Sequence, residues 1–392
     1  MDLSARYFEA QHEYYLADFI KEQLKVLDDI WSGAPYIGAT FYVPSELLAL
    51  FNVRVLYLER IAGFAAAIKL INNLNLFRSK FNLPEICTCT YQLLFHTLVN
   101  EKIIPRPAAF VATSYTCEDA WQYCKYAAAE FNVPFHFISV PKEKNSASIK
   151  SISSQLNHLY HSLANQYDII GELSEIINVS NETIRIKQNI DSLRIEYPGI
   201  FHSNNSLKLF TLYNDLGRKS ALNIFSKIYQ KIRDGVTEYK PLTTIKLIWL
   251  GVIPLYLNHI IRDIENQYGC RVVFEELFYY SKNEISEDTF YQDLAVRICD
   301  SIHFLDEMRT EILFDLIDKF HADGVIHFTQ RDCQFLGPKV PNLRQKFEQK
   351  KIPFLEISGD VVDSQFFDVN HCWNQLDAFF EIINHRKNAD KN

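Results

Sequence analysis

Short apolar runs alternate with longer amphipathic segments over most of the chain. Each run holds only a few residues and is rich in branched and aromatic side chains. Runs of this kind, separated by segments of helical length, are typical of strands that are buried on both faces of a parallel sheet. The pattern therefore predicts strands at Val53–Leu58, Ala108–Thr113, Phe135–Val140, Ile245–Leu250, Arg271–Glu275, Gly324–Thr329 and Pro353–Ile357.

Helical periodicity fills most of the intervals between these runs. In the middle of the chain, Ser180, Asn181 and Glu182 before Ile184 predict a helix start. Residues 203–206, which are Ser-Asn-Asn-Ser, predict a loop. The expected helical segments are 1–35, Asp119–Phe131, Ile152–Gln166, Ile169–Ile177, Asn181–Ile195, Leu207–Arg233, Leu255–Gln267, Leu294–Phe320 and Leu343–Lys350.

The distribution of strands and helices divides the chain into four parts. We expect an N-terminal helical segment at 1–35, a first α/β domain at 36–145, a helical connector at 146–240 and a second α/β domain at 241–392. Strands alternate with helices of crossover length in both α/β parts, which favours a doubly wound parallel sheet in each. The predicted fold class is α/β, with two parallel-sheet domains joined by a helical segment.

Charge and hydropathy exclude several classes of function. The formal net charge is −8 and no basic stripe is present, which argues against a nucleic-acid partner. The longest apolar run, Leu247–Leu257, is too short to span a bilayer, and the N-terminus has no apolar signal core. The chain has 12 glycines and no glycine-rich phosphate motif. We therefore expect a cytoplasmic protein without a membrane or nucleic-acid partner.

Cysteines supply the strongest candidate chemistry. In open α/β sheets, ligands bind beyond the carboxyl ends of the strands. Cys117 follows the run Ala108–Thr113 and precedes a helix, and Cys333 follows Gly324–Thr329. These two thiols are expected to face one cleft, and a third thiolate is expected from Cys87. Three thiolates from separate loops suit an iron–sulfur cluster with one open iron, although free cysteines are also often packing residues.

Other polar and sulfur-bearing residues receive less specific interpretations. Cys89 is interpreted as a neighbour of Cys87 and not as a ligand. Cys124 is interpreted as a packing residue beneath the site, with an extra ligand as the less favoured alternative. His327 alternates within a strand, which favours a core histidine with satisfied hydrogen bonds. Glu46 lies in the first turn of a predicted helix, where the helix dipole favours a carboxylate.

Several ordered segments together resemble the 2-hydroxyacyl-CoA dehydratase D-component family, which includes benzoyl-CoA reductase-type subunits. The cysteine segments of the resemblance are Ile86-Cys87 before a helix, Thr116-Cys117-Glu118, and the block from Ala322 to Cys333. The remaining segments are Tyr36-Ile37-Gly38, Tyr42-Val43-Pro44-Ser45-Glu46-Leu47-Leu48, Lys351–Ile357 with Asp360, and Ala378-Phe379.

This resemblance implies two flavodoxin-like domains and a 4Fe-4S cluster held by Cys87, Cys117 and Cys333. It implies an anaerobic lyase that removes water from a 2-hydroxyacyl-CoA thioester by a radical mechanism, with Glu46 as the candidate catalytic residue. The implied partners are an acyl-CoA substrate, a related second subunit in a homo- or heterodimer, and an ATP-dependent iron–sulfur activator protein.

Departures from the family pattern leave two alternatives. The family's basic residue after the first cysteine is Gln92 here, and its C-terminal Gly-Gln and Thr-Arg pairs are Asn370-His371 and Asn374-Gln375. These changes are compatible with a partner subunit that has lost the cluster chemistry. A double-cubane reductase is the other alternative and would need about six cysteines. They would be Cys87, Cys89, Cys117, Cys124, Cys333 and Cys372.

Overall fold

Two four-stranded, all-parallel sheets form the centre of the molecule. The computed structural model describes residues 13–71, 74, 77, 89–115, 117–257 and 259–389. The first sheet contains β1 (Tyr36–Ala39), β2 (Arg54–Tyr57), β3 (Ala109–Thr113) and β4 (Phe135–Ile138). The second contains β5 (Ile245–Gly251), β6 (Cys270–Glu275), β7 (Gly324–Gln330) and β8 (Phe354–Gly359).

Both sheets have the same strand order. The orders are β2-β1-β3-β4 and β6-β5-β7-β8, so the first strand of each sheet pairs with both the second and the third. In register, Gly38 of β1 lies opposite Phe110 of β3, and Leu250 of β5 lies opposite His327 of β7. This order confirms the predicted α/β class with two flavodoxin-like parallel sheets. It also brings the carboxyl ends of β1 and β3, and of β5 and β7, to neighbouring positions.

Helices surround both sheets. The helices of the first half of the described chain are α1 (Tyr14–Trp31), α2 (Ser45–Leu48), α3 (Leu58–Ala67), α4 (Thr90–Asn100), α5 (Glu118–Phe131), α6 (Ser146–Ala164) and α7 (Leu173–Glu196). The second half contains α8 (Ser203–Leu209), α9 (Lys219–Val236), α10 (Ile260–Tyr268), α11 (Phe290–Cys299), α12 (Asp306–Phe320), α13 (Val340–Gln349) and α14 (Val369–Ala389). Among the residues that the structure describes, none of these helices is long and apolar enough to cross a membrane.

The helix start predicted at residues 180–182 is wrong, because α7 runs through this point without a break. The polar side chains there bind other segments instead of ending a helix. Ser180 donates to Glu46 Oε1 at 2.8 Å. Asn181 donates to the main-chain oxygen of Ile285 and accepts from its N–H group, at 2.8 and 2.9 Å. Cap-like residues in a helix interior therefore mark tertiary contacts in this protein.

Three further expectations are corrected by the structure. The single helix expected over Leu207–Arg233 is interrupted, because α8 ends at Leu209, a 3₁₀ turn covers Phe210–Asp215 and α9 begins at Lys219. Residues 203–206 lie in α8 and not in a loop, because Ser203 and Asn205 direct their side chains to Val272 O and to Tyr15. The single helix expected over Leu294–Phe320 is two helices, α11 and α12, separated by residues 300–305. The division into four parts at residues 35, 145 and 240 stays a prediction.

One apolar cluster contains side chains from both sheets. It includes Phe110 and Ala112 of β3 together with Trp249 of β5 and Phe328 of β7, all of them buried. Burial of this kind is the main favourable contribution to folding. The two sheets therefore share a core, and this shared core holds their carboxyl ends in one relative position.

Candidate functional site

A cavity of about 170 Å³ lies between the two sheets and is lined by three cysteines. The cysteines are Cys89, Cys117 and Cys333, and each comes from a different part of the fold. Cys89 precedes α4, Cys117 precedes α5, and Cys333 follows β7. The structure thus brings Cys117 and Cys333 to one cavity, together with Cys89, which the sequence analysis interpreted as a neighbour only. Cys87 lies outside the described residues.

Each of the three thiols stands at the beginning of a helical turn. Cys89 and Cys117 occupy the position immediately before the first residue of α4 and α5. The main-chain N–H of Leu336 donates to Cys333 Sγ at 3.3 Å, just before a short 3₁₀ turn. Helix N-termini and main-chain N–H donors favour the thiolate over the thiol. All three positions are therefore suited to a cysteine that binds metal as a thiolate.

In the metal-free protein, burial opposes this ionisation at Cys89 and Cys117. Burial, together with the neighbouring Cys333 thiol, raises the pKa of Cys117 to about 12. The pKa of Cys89 is raised well above its usual value by burial and by the Cys117 thiol. A bound cation reverses this balance, because a thiol that coordinates a metal is deprotonated.

A single metal ion and a cluster make different demands on these residues. In the described part of the chain, no three His, Cys, Asp or Glu side chains stand close enough together to hold one ion. A cubane cluster makes a different demand, because each cysteine binds a different iron of the cluster. The three thiols line one cavity and form no single-ion site among the described residues, so a cluster bound through separate irons is the group that they could hold.

Aromatic rings form a large part of the cavity wall. The Phe41 and Phe210 rings stack with centroids 5.6 Å apart, and Tyr42 packs against Tyr213 at 5.2 Å. Tyr279, Tyr280 and Phe335 also line the cavity. Such a wall lowers the local dielectric constant, which strengthens electrostatic interactions beside it.

Three residues that line the same cavity carry buried polar atoms without hydrogen-bond partners. The atoms are Glu59 Oε2, Gln92 Oε1 and the ring nitrogens of His303, whose Nδ1 lies 3.6 Å from the Glu276 carboxylate. Burial raises the pKa of Glu59 to about 7 and lowers the pKa of His303 to about 4. Buried polar atoms are usually paired, so these groups indicate that the cavity holds a ligand with polar atoms. The sequence analysis did not single out Glu59, which lies in the first turn of α3.

A hydrogen-bond network connects the Cys89 and Cys333 regions. Asp360 accepts from Thr90 Oγ1 at 2.9 Å and from Gln330 Nε2 at 3.0 Å. Thr90 is the first residue of α4, directly after Cys89, while the Cys333 N–H donates to the main-chain oxygen of Gln330 at 3.2 Å. Asp360 therefore fixes two of the three cysteines relative to each other.

A larger cavity of about 460 Å³ adjoins the first one, and Phe335 lines both. Tyr115 packs edge-on against Phe335 with ring centroids 6.4 Å apart, and it lines the larger cavity. Lys142 and Lys339 lie among its charged lining residues. The larger cavity is within the size range of small-molecule sites, and Phe335 stands between it and the cysteines.

Glu46 lies behind the aromatic wall and does not line the cysteine cavity. Its carboxylate accepts from Arg297 Nη1 at 2.5 Å and from Ser180 Oγ at 2.8 Å, and it is nearly inaccessible to solvent. A small cavity beside it is lined by Tyr42 and Tyr213, which also form part of the aromatic wall. A catalytic role for Glu46 stays a prediction.

The remaining candidates serve the scaffold. His327 is buried in β7 and pairs with Thr329 Oγ1 at 2.9 Å and with Arg309 Nη2 at 3.3 Å, as expected for a core histidine. Cys124 and Cys372 are buried among apolar side chains of the shared core and do not line the cysteine cavity.

The fold and the site together define a class. Two parallel sheets of flavodoxin-like order border an aromatic cavity that is lined by three thiols, which is a candidate cofactor site in an α/β protein. The family model described as 2-hydroxyglutaryl-CoA dehydratase, D-component, matches residues 40–383. The chain belongs to this family of dehydratase components. No curated protein matches the chain.

Proposed function

We propose that the chain is a subunit of an iron–sulfur dehydratase that removes water from a 2-hydroxyacyl-CoA thioester. The observation that carries this proposal is that three thiols, each at the N-terminal end of a helical turn, line one aromatic cavity. Family membership supplies the acyl-CoA dehydratase class.

Cys117 and Cys333 would hold a 4Fe-4S cluster in this cavity, and Cys87 is the third ligand that the resemblance implies. When bound, the cluster supplies one-electron chemistry at low potential, which makes the 2-hydroxyl of a thioester a possible leaving group. The chain's own residues would give the cluster apolar surroundings, since Tyr42, Tyr213 and other rings line the cavity.

We assign proton transfer at this site to Glu59. Its Oε2 atom faces the cavity without a partner, and a pKa of about 7 keeps a proton on a large share of molecules near neutral pH. A carboxyl group with such a pKa can protonate a leaving hydroxyl and release the proton afterwards. The thioester would enter through the larger cavity, past Phe335.

The implied partners are a related second subunit and an ATP-dependent iron–sulfur activator. The double-cubane alternative receives no support from the described residues, because Cys124 and Cys372 are packed in the shared core instead of lining the cavity.

Anoxic purification followed by measurement of iron, acid-labile sulfide and the visible spectrum tests the proposal. We expect about four iron and four sulfide per chain, as for one cubane cluster. Cys117→Ala and Cys333→Ala should lose both, whereas Cys299→Ala serves as a matched control, because Cys299 is buried in α11 away from the cavity. A wild-type protein that takes up no iron on anaerobic reconstitution would refute the proposal. With iron shown, turnover of 2-hydroxyacyl-CoA esters with an activator protein tests the reaction itself.

A further inference from the structure

We infer that Cys89 is a ligand of the iron–sulfur cluster and not merely a sequence neighbour of Cys87. This inference rests on the proposed function, because it assumes that the cavity holds a cluster. It goes further by assigning a ligand role to a residue that the resemblance leaves out.

The first argument is the division of the described cysteines into two groups. Four of them, Cys124, Cys270, Cys299 and Cys372, are fully buried, as packing cysteines usually are. The other three are Cys89, Cys117 and Cys333, which keep accessible surface and line the same cavity. Cys89 therefore belongs with the two predicted ligands and not with the packing residues.

The second argument is local geometry. Cys89 stands immediately before α4 as Cys117 stands immediately before α5, and both residues have extended backbone, with φ and ψ of −73° and 125° at Cys89 and of −145° and 127° at Cys117. Both side chains line the cavity. A helix N-terminus favours a thiolate over a thiol, and a thiolate is the form that binds metal. Two helices thus each present a thiol to the cavity from the position before their first residue.

The third argument is the tether to the opposite sheet. Thr90, next to Cys89, donates to Asp360, and Asp360 also accepts from Gln330, whose main-chain oxygen accepts from the Cys333 N–H group. The distance between the Cys89 and Cys333 regions is therefore set by hydrogen bonds among described residues. A ligand set needs such rigidity to bind a cluster of fixed size.

The experiment compares Cys89→Ala and Cys87→Ala in the full chain, reconstituted under anoxia, with Cys299→Ala as the matched control. Iron and sulfide per chain, the visible spectrum and the electron paramagnetic resonance of the reduced protein are the readouts. We expect Cys89→Ala to lose at least half of its iron, while the control keeps all of it. If Cys87→Ala retains its iron, the cluster ligands are Cys89, Cys117 and Cys333. If Cys87→Ala also loses its iron, Cys87 is a fourth ligand. Both outcomes support the inference.

A second measurement covers the case in which an alanine variant folds poorly. In the wild-type protein, iodoacetamide should modify Cys89 after removal of iron, and the loaded protein should resist this modification at least tenfold. Peptide mass spectrometry gives the extent of modification.

Two failures can be told apart. A wild-type protein without iron would refute the proposed function and this inference together. A Cys89→Ala variant with full iron and an unchanged spectrum, beside a Cys117→Ala variant that has lost both, would overturn this inference alone.

Discussion

Replacing Glu46 with glutamine distinguishes a scaffold role from a catalytic role for this residue. The change keeps the shape of the side chain and removes its charge. In the folded protein, the Glu46 carboxylate pairs with Arg297, and the two side chains are only 4% and 3% exposed. The variant leaves a buried guanidinium without its counter-ion. We therefore expect a loss of stability in the Glu46→Gln protein even before any substrate is added.

The magnitude follows from what Arg297 retains. Three acceptors remain after the change: Ser180 Oγ at 2.9 Å, Asn181 Oδ1 at 3.3 Å and the main-chain oxygen of Asn283 at 2.6 Å. They preserve hydrogen bonds but neutralise no charge. Removing one partner of a buried ion pair costs about 3–5 kcal/mol. This corresponds to roughly two to four powers of ten in the folding equilibrium.

Urea denaturation followed by tryptophan fluorescence measures the effect, and Glu284→Gln is the matched control. Glu284 forms a two-contact pair with Arg185, but its side chain is 45% exposed, so its loss should leave the midpoint nearly unchanged. Adding Arg297→Met to Glu46→Gln should cost less than the two single changes together. The reasoning is refuted if Glu46→Gln denatures at the wild-type midpoint and keeps its iron but has no turnover, since Glu46 would then act in the chemistry.

Three further predictions concern stability and access. Burial lowers the pKa of His327 to about 3, below the value of 6.5 in the unfolded chain. Its contribution to stability is therefore complete above pH 6.5 and is lost below it, by about 1.4 kcal/mol per pH unit. When the urea midpoint is plotted against pH, the slope between pH 6.5 and pH 4.5 should be smaller for His327→Gln than for the wild-type protein. An unchanged slope would contradict this prediction. Gly251→Ala should lower the melting temperature far more than Gly269→Ala. Both glycines have positive φ, but a Cβ at position 251 would collide with the main-chain oxygen of Phe328, whereas the space at position 269 is open. Phe335→Ala should speed alkylation of the cavity thiols in the iron-free protein, and an unchanged rate would mean that access to the cavity follows another route.

The positions of the cysteines show which parts of the site could be predicted from the sequence. Cys117 and Cys333 could be assigned to one cleft because each follows a recognisable strand, and parallel topology brings carboxyl ends together. Cys89 follows no strand, so topology did not distinguish it from Cys87. The signal that could have found it is the start of α4 directly after it, as α5 starts after Cys117.

The polar groups of the cavity could not be predicted in the same way. Glu59 lies in the first turn of α3, where a carboxylate is common, and only the tertiary structure shows that one of its oxygens faces the cavity. His303 falls where a single helix was expected, and the actual connection between α11 and α12 is what directs its ring to the site.

Strand prediction succeeded where apolar runs were long enough to be distinctive. The seven expected strands correspond to β2 through β8. The missing one, β1, has only four residues, Tyr-Ile-Gly-Ala, and it includes Gly38. A Cβ at this glycine would meet the Phe110 ring at 2.8 Å, so a close approach between β1 and β3 explains a residue that is unfavourable in strands.

The spacing of the cavity thiols along the chain has a consequence for how the protein matures. Cys89 and Cys117 are 28 residues apart, and Cys117 and Cys333 are 216 residues apart. Bringing such distant positions together in an unfolded chain costs roughly 3 and 5 kcal/mol in loop closure. An unfolded or nascent chain would therefore capture iron poorly, and a cluster would be inserted after both sheets have formed. With the proposed cluster, the iron content of a preparation would then equal the fraction of molecules that have completed folding. A low iron content would follow from failed assembly of the two halves as well as from failed delivery of iron.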